Sequence, residues 1–268
     1  MKTESADELL ARIAALASAR PGGIVATDGD GTLWSGDIGE DSFFEFLAAG
    51  DVAQDAAVAL RDQAGEFGLD VNGAPVQIAR RIFDAYTEGR FPEERVCEVM
   101  TWCFAGWTRA KMRAFAADVV AKRALSTRLH RELGRVLEGV RRAGIEVYLV
   151  SASPRAVVEA AANIVGIDAA HVVAATPRYA NEPAGAPPDR APNAILLADV
   201  ERPIPYGAGK VAGLRARVGD RELYAAFGDN LFDIPMLAHA SIPVAVRPKP
   251  RLRDRADEVP ALVLLAEE

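Results

Sequence analysis

The sequence predicts an α/β fold in which a doubly wound, mostly parallel sheet carries a separate helical layer. Short apolar runs at 24–27, 145–150 and 223–227 are followed by polar residues and by helical periodicity, a pattern typical of parallel strands. The stretch 41–122 shows helical spacing throughout. The two patterns therefore predict one sheet-containing unit interrupted by a block of helices.

The chain begins with a helix signal that leads into the first strand. Ser5 and Glu8 have capping-box spacing, and Pro21-Gly22-Gly23 ends the apolar stripe that follows. The next apolar run, 24–27, ends at two carboxylates, Asp28 and Asp30. Acids at the tip of a buried strand lie where ligands of open α/β sheets bind.

The helical block comes directly after this strand. Its apolar residues recur at helical spacing from Asp41 to about Lys122, and glycines separate the individual helices. We assign residues 37–125 to a helical cap, and residues 1–36 and 126–268 to the core. The segments Ser35-Gly36 and Leu125-Ser126 flank the block and are its expected hinges.

The α/β pattern resumes after the helical block. A helical face that ends at Gly144 precedes the strand 145–150, which runs directly into Ser151. Ser153 is a good N-cap and Pro154 a good first helical residue, so we expect a helix to begin there. A helix start beside Ser151 is a natural binding site for phosphate.

The last part of the chain contains a proline-rich segment and two further apolar strands. The prolines predict that 176–193 is an exposed loop. The strands 223–227 and 242–246 then close the fold, and the first of them runs into a second acidic cluster with Asp229 and Asp233. This cluster also lies at a predicted strand tip.

Composition narrows the class of protein. The chain has 268 residues, is half apolar, and carries a net charge of −7, which argues against binding of nucleic acid. The acidic N-terminus and the absence of a long apolar run predict a cytoplasmic protein that does not bind membranes. Cys97 and Cys103 are too few for a disulfide framework.

Closely spaced carboxylates at a strand tip require a physical reason. Neighbouring carboxylates repel each other and raise each other's pKa values, so Asp28 and Asp30 destabilise the fold unless a cation offsets their charge. Lys210 is the evident cationic candidate in the sequence. The arrangement indicates a site of chemistry more than a turn or a helix cap.

Four motifs in order resemble the signature of the haloacid dehalogenase superfamily. They are Asp28-Gly29-Asp30-Gly31-Thr32, Ser151 after a second strand, Lys210, and Gly228-Asp229 with Asp233. The helical block after the first motif is similar to the helical-cap branch that includes phosphoserine phosphatase. The resemblance implies a Rossmann-like core and a phosphatase activity on a small-molecule phosphate ester.

The resemblance also implies a role for each motif residue. Asp28 would attack phosphorus as the nucleophile, and Asp30 would act as general acid and base. Mg²⁺ would be held by Asp28, the backbone carbonyl of Asp30, and Asp229, with Asp233 orienting the site. The phosphoryl oxygens would be bound by Ser151, Lys210 and Thr32.

Two positions refine this assignment. An acid at position 30 favours phosphatases and phosphomutases over dehalogenating relatives, which lack it because carbon–halogen cleavage needs no proton on the leaving group. Phe232 stands where phosphoserine phosphatases usually carry Asn. This departure leaves the assignment to serine phosphate open.

Asp37 and Glu40 are the candidate substrate-binding residues. Asp37 lies where phosphoserine phosphatases carry a Glu that binds the substrate amine, and acids there predict a cationic group on the organic part of the ester. The competing interpretation is that Asp37 caps the helix that begins near Asp41.

The sequence thus predicts a magnesium-dependent phosphomonoesterase. One alternative is a phosphomutase or phosphotransferase that uses the same aspartyl phosphate. The other is a catalytically silent phosphate-binding domain. The basic run 247–255 is interpreted as a solvated face. Trp102, Phe104 and Trp107 either line the cap above the site or pack in its core.

Overall fold

The centre of the molecule is a seven-stranded parallel sheet, seen in a computed structural model that describes residues 1–180 and 191–267. The strands of the chain are β1 (Lys2–Glu4), β2 (Ile24–Thr27), β3 (Glu146–Pro154), β4 (Val172–Ala175), β5 (Pro177–Ala180), β6 (Ile195–Val200), β7 (Leu223–Gly228), β8 (Ile242–Ala245) and β9 (Val263–Leu265). The sheet order is β1-β9-β8-β7-β2-β3-β4, and its paired strands are parallel. The predicted fold class is confirmed.

Helices cover the sheet and form the inserted block. They are α1 (Ala6–Ala19), α2 (Ile38–Ala49), α3 (Gln54–Glu66), α4 (Pro75–Thr87), α5 (Glu93–Trp102), α6 (Arg109–Lys122), α7 (Arg131–Arg142), α8 (Arg155–Ile164), α9 (Ala208–Val218), α10 (Ile234–Ala238) and α11 (Pro250–Asp254). Ser5 and Glu8 form the predicted capping box at α1. None of the described helices combines the length and the apolar character needed to span a bilayer.

The position of β2 in the sheet determines where the first two acids lie. All four of its residues are buried, as expected for a strand whose two faces are both covered. It pairs with β3 on one side and with β7 on the other. The carboxyl ends of these three parallel strands therefore meet at one edge, which brings the residues that follow them together.

The inserted helices α2 to α6 lie between β2 and α7 in the chain and have their own aromatic core. Phe46 and Trp107 pack around Phe104 at centroid distances of 4.8 and 5.2 Å. Trp102, Phe104 and Trp107 are all buried, so they belong to the packing of this block. The assignment of residues 37–125 to a cap stays a prediction.

The two segments that connect the insert to the core run beside each other. The Ser35 backbone N–H donates to the Arg128 carbonyl at 3.0 Å, and the Arg128 guanidinium donates back to the Ser35 carbonyl at 2.7 Å. Gly36 has a φ of +80°, a conformation that glycine adopts without strain. The expected hinge segments are thus coupled by hydrogen bonds.

The proline-rich segment begins with a short strand that its sequence does not predict. The structure corrects the predicted loop 176–193, because residues 177–180 form β5 and pair antiparallel with β6. Pro177 stands first in its strand, a position at which a missing N–H is tolerated. Residues 181–190 of the predicted loop lie outside the described ranges.

Candidate active site

The turn after β2 is a tight turn that contains Gly29 and Gly31. The backbone N–H of Leu33 donates to the Gly29 carbonyl, and that of Gly31 donates to the Trp34 carbonyl, both at 2.8 Å. Gly31 has a φ of +85°, and a Cβ built there would lie 2.3 Å from Asp229 Oδ2. Only glycine lets this turn approach the Asp229 carboxylate so closely.

Three buried carboxylates converge beneath this turn. Oxygen atoms of Asp28, Asp229 and Asp233 all lie within 4.8 Å of one another. The Thr32 hydroxyl bridges two of them, at 3.0 Å from Asp28 Oδ2 and 3.2 Å from Asp229 Oδ1. Such a set of hard oxygen ligands suits Mg²⁺.

Asp233 is held in place by backbone donors. Its Oδ2 accepts hydrogen bonds from the N–H groups of Asp229 at 3.0 Å and Asn230 at 2.9 Å. A Cβ at Gly228 would lie 2.5 Å from the Asp233 Cβ. The end of β7 and the short helical turn after it therefore fix both acids of the second cluster.

Lys210 supplies positive charge inside the cluster. Its Nζ lies 2.5 Å from both Asp28 Oδ1 and Asp233 Oδ1, and its side chain is only 6% exposed. Burial alone lowers the pKa of Lys210, but the two carboxylates outweigh it and raise that pKa above the ordinary value. Burial raises the pKa of Asp28 well above its usual range, although Lys210 opposes the shift.

Lys249 is a second cation of the site, and the sequence interpretation missed it. Its Nζ lies 2.9 Å from Asp229 Oδ2, so it is not simply part of a solvated basic face. Burial raises the pKa of Asp229, and Lys249 opposes that shift. Lys210 is therefore not alone in offsetting the acids. The sequence signal was weak because Lys249 is one of several basic residues in its segment.

The Asp30 side chain points away from the three-carboxylate cluster. Its Oδ1 accepts from the Trp34 indole and from the Ile38 backbone N–H, both at 2.8 Å. Its Oδ2 accepts from Ser153 Oγ at 2.7 Å and from Ser151 Oγ at 3.2 Å. These four donors fix the orientation of the carboxyl group. A role for the Asp30 backbone carbonyl in metal binding stays a prediction.

Ser153 does not cap α8, which corrects the sequence interpretation. Strand β3 continues through Pro154, which is the N-cap residue of the helix, and no side chain caps it. Ser153 is consequently extended and buried, and its hydroxyl reaches Asp30. Ser151 accepts the Ser153 backbone N–H at 3.1 Å, so the two serines form one unit beside Asp30.

Acids of the insert lie close enough to Asp30 or Lys249 to interact with them electrostatically. Asp37 is the N-cap residue of α2 and accepts the Glu40 N–H at 2.8 Å, which agrees with the capping interpretation. Burial and the nearby Asp30 raise the pKa values of Asp37 and Glu40. Burial likewise raises the pKa of Glu93, the first residue of α5. Glu93 was not predicted, and no motif in the sequence identifies it.

Phe232 packs beside Tyr206 near the same cluster. Their ring centroids are 4.4 Å apart, and Phe232 directly precedes Asp233. The departure from the phosphoserine phosphatase pattern thus places an aromatic surface where an amide is usual. A cavity of about 770 Å³ lies elsewhere, beside the start of α8, and its described lining contains none of the predicted site residues.

The sequence and the fold of the chain are similar to those of known proteins. The model of the haloacid dehalogenase-like hydrolase family matches residues 25–238. A Bordetella pertussis Tohama I protein of unknown function is 20% identical, with a TM-score of 0.64 over 90% of this chain and 97% of its own. No curated protein matches the sequence significantly.

Two phosphoserine phosphatase structures are also similar. One contains a phospho-aspartyl intermediate analogue and is 15% identical, with a TM-score of 0.52 over 92% of this chain and 94% of its own. The other is a substrate-bound complex, 16% identical, with a TM-score of 0.51 and the same coverage of both chains. At these identities the likeness shows a shared fold.

Proposed function

Because the chain belongs to the haloacid dehalogenase-like hydrolase family, we propose that it is a magnesium-dependent phosphomonoesterase with Asp28 as its nucleophile. The observation that carries the proposal is the convergence of Asp28, Asp229 and Asp233 at the carboxyl edge of the sheet, where Lys210 contacts Asp28 and Asp233. Phosphoryl transfer requires an oriented nucleophile and positive charge around the phosphoryl oxygens.

Asp28 is well placed to act on phosphorus. An Asp28 oxygen forms the new bond to phosphorus while the ester oxygen leaves, which gives an aspartyl phosphate and a free alcohol. Lys210 and Thr32 hold the two Asp28 oxygens and so fix the carboxylate in one orientation. In this proposal Lys210, Thr32 and Ser151 also bind the phosphoryl oxygens.

Asp30 moves the protons in the proposed reaction. It protonates the leaving oxygen and then takes a proton from the water that attacks the aspartyl phosphate, which releases inorganic phosphate. Hydroxyl groups both donate and accept hydrogen bonds. Ser151 and Ser153 can therefore hold the Asp30 carboxyl group whether or not it carries a proton.

The residues fit a divalent cation. Asp28 and Asp229 would hold Mg²⁺ together with the Asp30 backbone carbonyl, and Asp233 would act as a ligand or orient the others. A bound Mg²⁺ would supply positive charge against the phosphoryl oxygens and the clustered carboxylates. The carboxylates need such charge because burial raises the pKa values of Asp28 and Asp229.

The substrate proposed is a small ester whose organic part carries an amine, with phosphoserine as one candidate. The supporting observation is that Asp37, Glu40 and Glu93 are partly buried acids with raised pKa values. A cationic group in the cleft would stabilise their charged forms. We place the reaction in the cytoplasm on the basis of composition alone.

The test is inorganic phosphate release from a panel of phosphomonoesters, with amine-bearing esters, sugar phosphates and nucleotides side by side. We expect turnover that stops in excess EDTA and returns with Mg²⁺. Transfer of phosphate to an added alcohol without its release would indicate the phosphomutase or phosphotransferase alternative. Full turnover in EDTA would contradict the metal requirement, and no turnover of any ester would favour a silent domain.

A further inference from the structure

Lys249 reaches the candidate metal site although it lies in the chain after the last of the four motifs. It lies between β8 and α11, where its backbone N–H donates to the Asp229 carbonyl at 2.8 Å. Its side chain then returns to the same residue, with Nζ 2.9 Å from Asp229 Oδ2. The backbone of Lys249 is thus anchored while its ammonium lies on a carboxylate of the cluster.

The two lysines of the site differ in their freedom to move. Lys210 is 6% exposed and contacts two buried carboxylates, whereas Lys249 is 53% exposed and its partner Asp229 only 2%. A long, half-exposed lysine side chain can leave its partner and keep its charge in water. Lys210 has no comparable route to solvent.

Asp229 offers little room for two cations. Its Oδ1 faces the Thr32 hydroxyl, and its Oδ2 faces Lys249. Asp229 also belongs to the cluster that could hold a metal ion. Two cations on one carboxylate repel each other strongly in a buried site, because little water screens them. Binding of a metal at Asp229 and the Lys249 contact therefore oppose each other.

We propose that Lys249 is a tethered cation that holds Asp229 when no metal is bound and gives up this carboxylate to Mg²⁺. Lys249 is then a positioning residue that stabilises the metal-free site and weakens its affinity for the metal. This inference rests on the metal site of the proposed function. It explains why a half-exposed lysine contacts a carboxylate that Lys210 does not contact directly.

The test compares Mg²⁺ affinity in wild type and Lys249→Met, measured by calorimetry and by the Mg²⁺ dependence of the melting temperature after EDTA treatment. We expect Lys249→Met to bind Mg²⁺ about tenfold more tightly, since a site occupied by its competitor nine-tenths of the time loses about that factor in apparent affinity. Lys249→Arg keeps the charge and should retain an affinity close to wild type.

Lys122→Met is the matched control, because Lys122 is also an exposed lysine paired with a more buried acid, Glu45. It should leave Mg²⁺ affinity unchanged. Lys249→Gln replaces Lys249→Met if circular dichroism shows that the latter is misfolded. If the folded, uncharged variant binds Mg²⁺ as tightly as wild type or more weakly, this inference is overturned and the proposed metal site is not. Absence of Mg²⁺ binding in every protein overturns the proposed metal site as well.

Discussion

The candidate site has two walls, and the acids of the two walls differ in their ion pairs. The wall on the core side, called the floor, consists of Asp28, Asp229, Asp233 and Lys210, and each of its carboxylates contacts a lysine. On the other side, the insert wall consists of Asp37, Glu40 and Glu93. Within residues 1–180 and 191–267, no lysine or arginine forms an ion pair with these three acids.

Under the proposed function, this difference separates the residues that would carry out the chemistry from those that would select the substrate. The floor is fixed by internal ion pairs and hydrogen bonds, so it can serve any ester that presents a phosphoryl group. The insert wall carries acids whose charge is only partly offset, and a cationic substrate group would complete it. Matching changes on the two walls should therefore affect turnover and substrate preference separately.

The largest effect is expected from paired substitutions on the two walls. Asp28→Asn should lower turnover of every ester by more than about a hundredfold, because an amide is a poor nucleophile. Asp37→Asn should leave turnover of amine-free esters near wild type. Phosphate release under saturating Mg²⁺ measures both. A hundredth or more of wild-type rate remaining in Asp28→Asn would contradict its role on the floor.

Asp30→Asn tests the residue that lies between the two walls. We expect a loss of about 10²–10⁴-fold with alkyl esters, as is usual when a general acid is removed. The loss should be smaller with p-nitrophenyl phosphate, whose leaving group needs little protonation. Asp55→Asn makes the same change at an exposed position and serves as the control. An equal loss with both kinds of ester would assign the effect to hydrolysis of the aspartyl phosphate, the step that all esters share, and would contradict a rate-limiting proton transfer to the leaving oxygen.

Asp37→Ala addresses selection on the insert wall. Amine-bearing esters should lead the panel in wild type, and the variant should lose that preference by about tenfold in relative kcat/KM, or about 1.4 kcal/mol. Asp55→Ala is the control, because Asp55 lies in the first turn of α3 and is exposed. If the ranking of esters stays the same in Asp37→Ala, Asp37 serves only as a helix cap.

The smallest effect concerns stability and pH. Burial raises the pKa of Glu93, so the folded state binds the Glu93 proton more tightly than the unfolded state does. The stability that this proton contributes is lost as pH rises through the folded-state pKa. Glu93→Gln should therefore raise the melting temperature by about 1–2 °C near pH 8 and have little effect near pH 4. Thermal unfolding at both pH values measures this. A destabilised variant at the higher pH would show that the charges of Arg251 and Lys249, which oppose the shift, outweigh the effect of burial.

The sequence predicted the features that depend on short patterns. Apolar runs located β2 and β7, and the acids that follow them lie at adjacent strand ends in the structure. The edge strand β1 and its neighbour β9 have only three residues each, too few to show a periodic pattern. Strand β5 was obscured by its proline and by the proline-rich residues after it.

The missed site residues share a different cause. Lys249 contacts Asp229, which is distant in the chain, and Glu93 is partly buried by the fold. The chain neighbours of both residues give typical surface patterns. Ser153 carries a strong local cap signal, but the pairing of β3 with β4 extends the strand to Pro154 and overrides it. Short sequence patterns therefore predict the role of a residue only where tertiary contacts do not override them.

The close approach of Gly31 to Asp229 has an evolutionary consequence. A side chain at position 31 would displace the carboxylate at position 229, and φ at Gly31 already excludes most other residues. Substitutions at these two positions are therefore epistatic, although the first and fourth motifs are far apart in the chain. If a descendant of this protein lost the acid at position 229, a Cβ at position 31 would no longer clash with it. The positive φ at position 31 would still favour glycine.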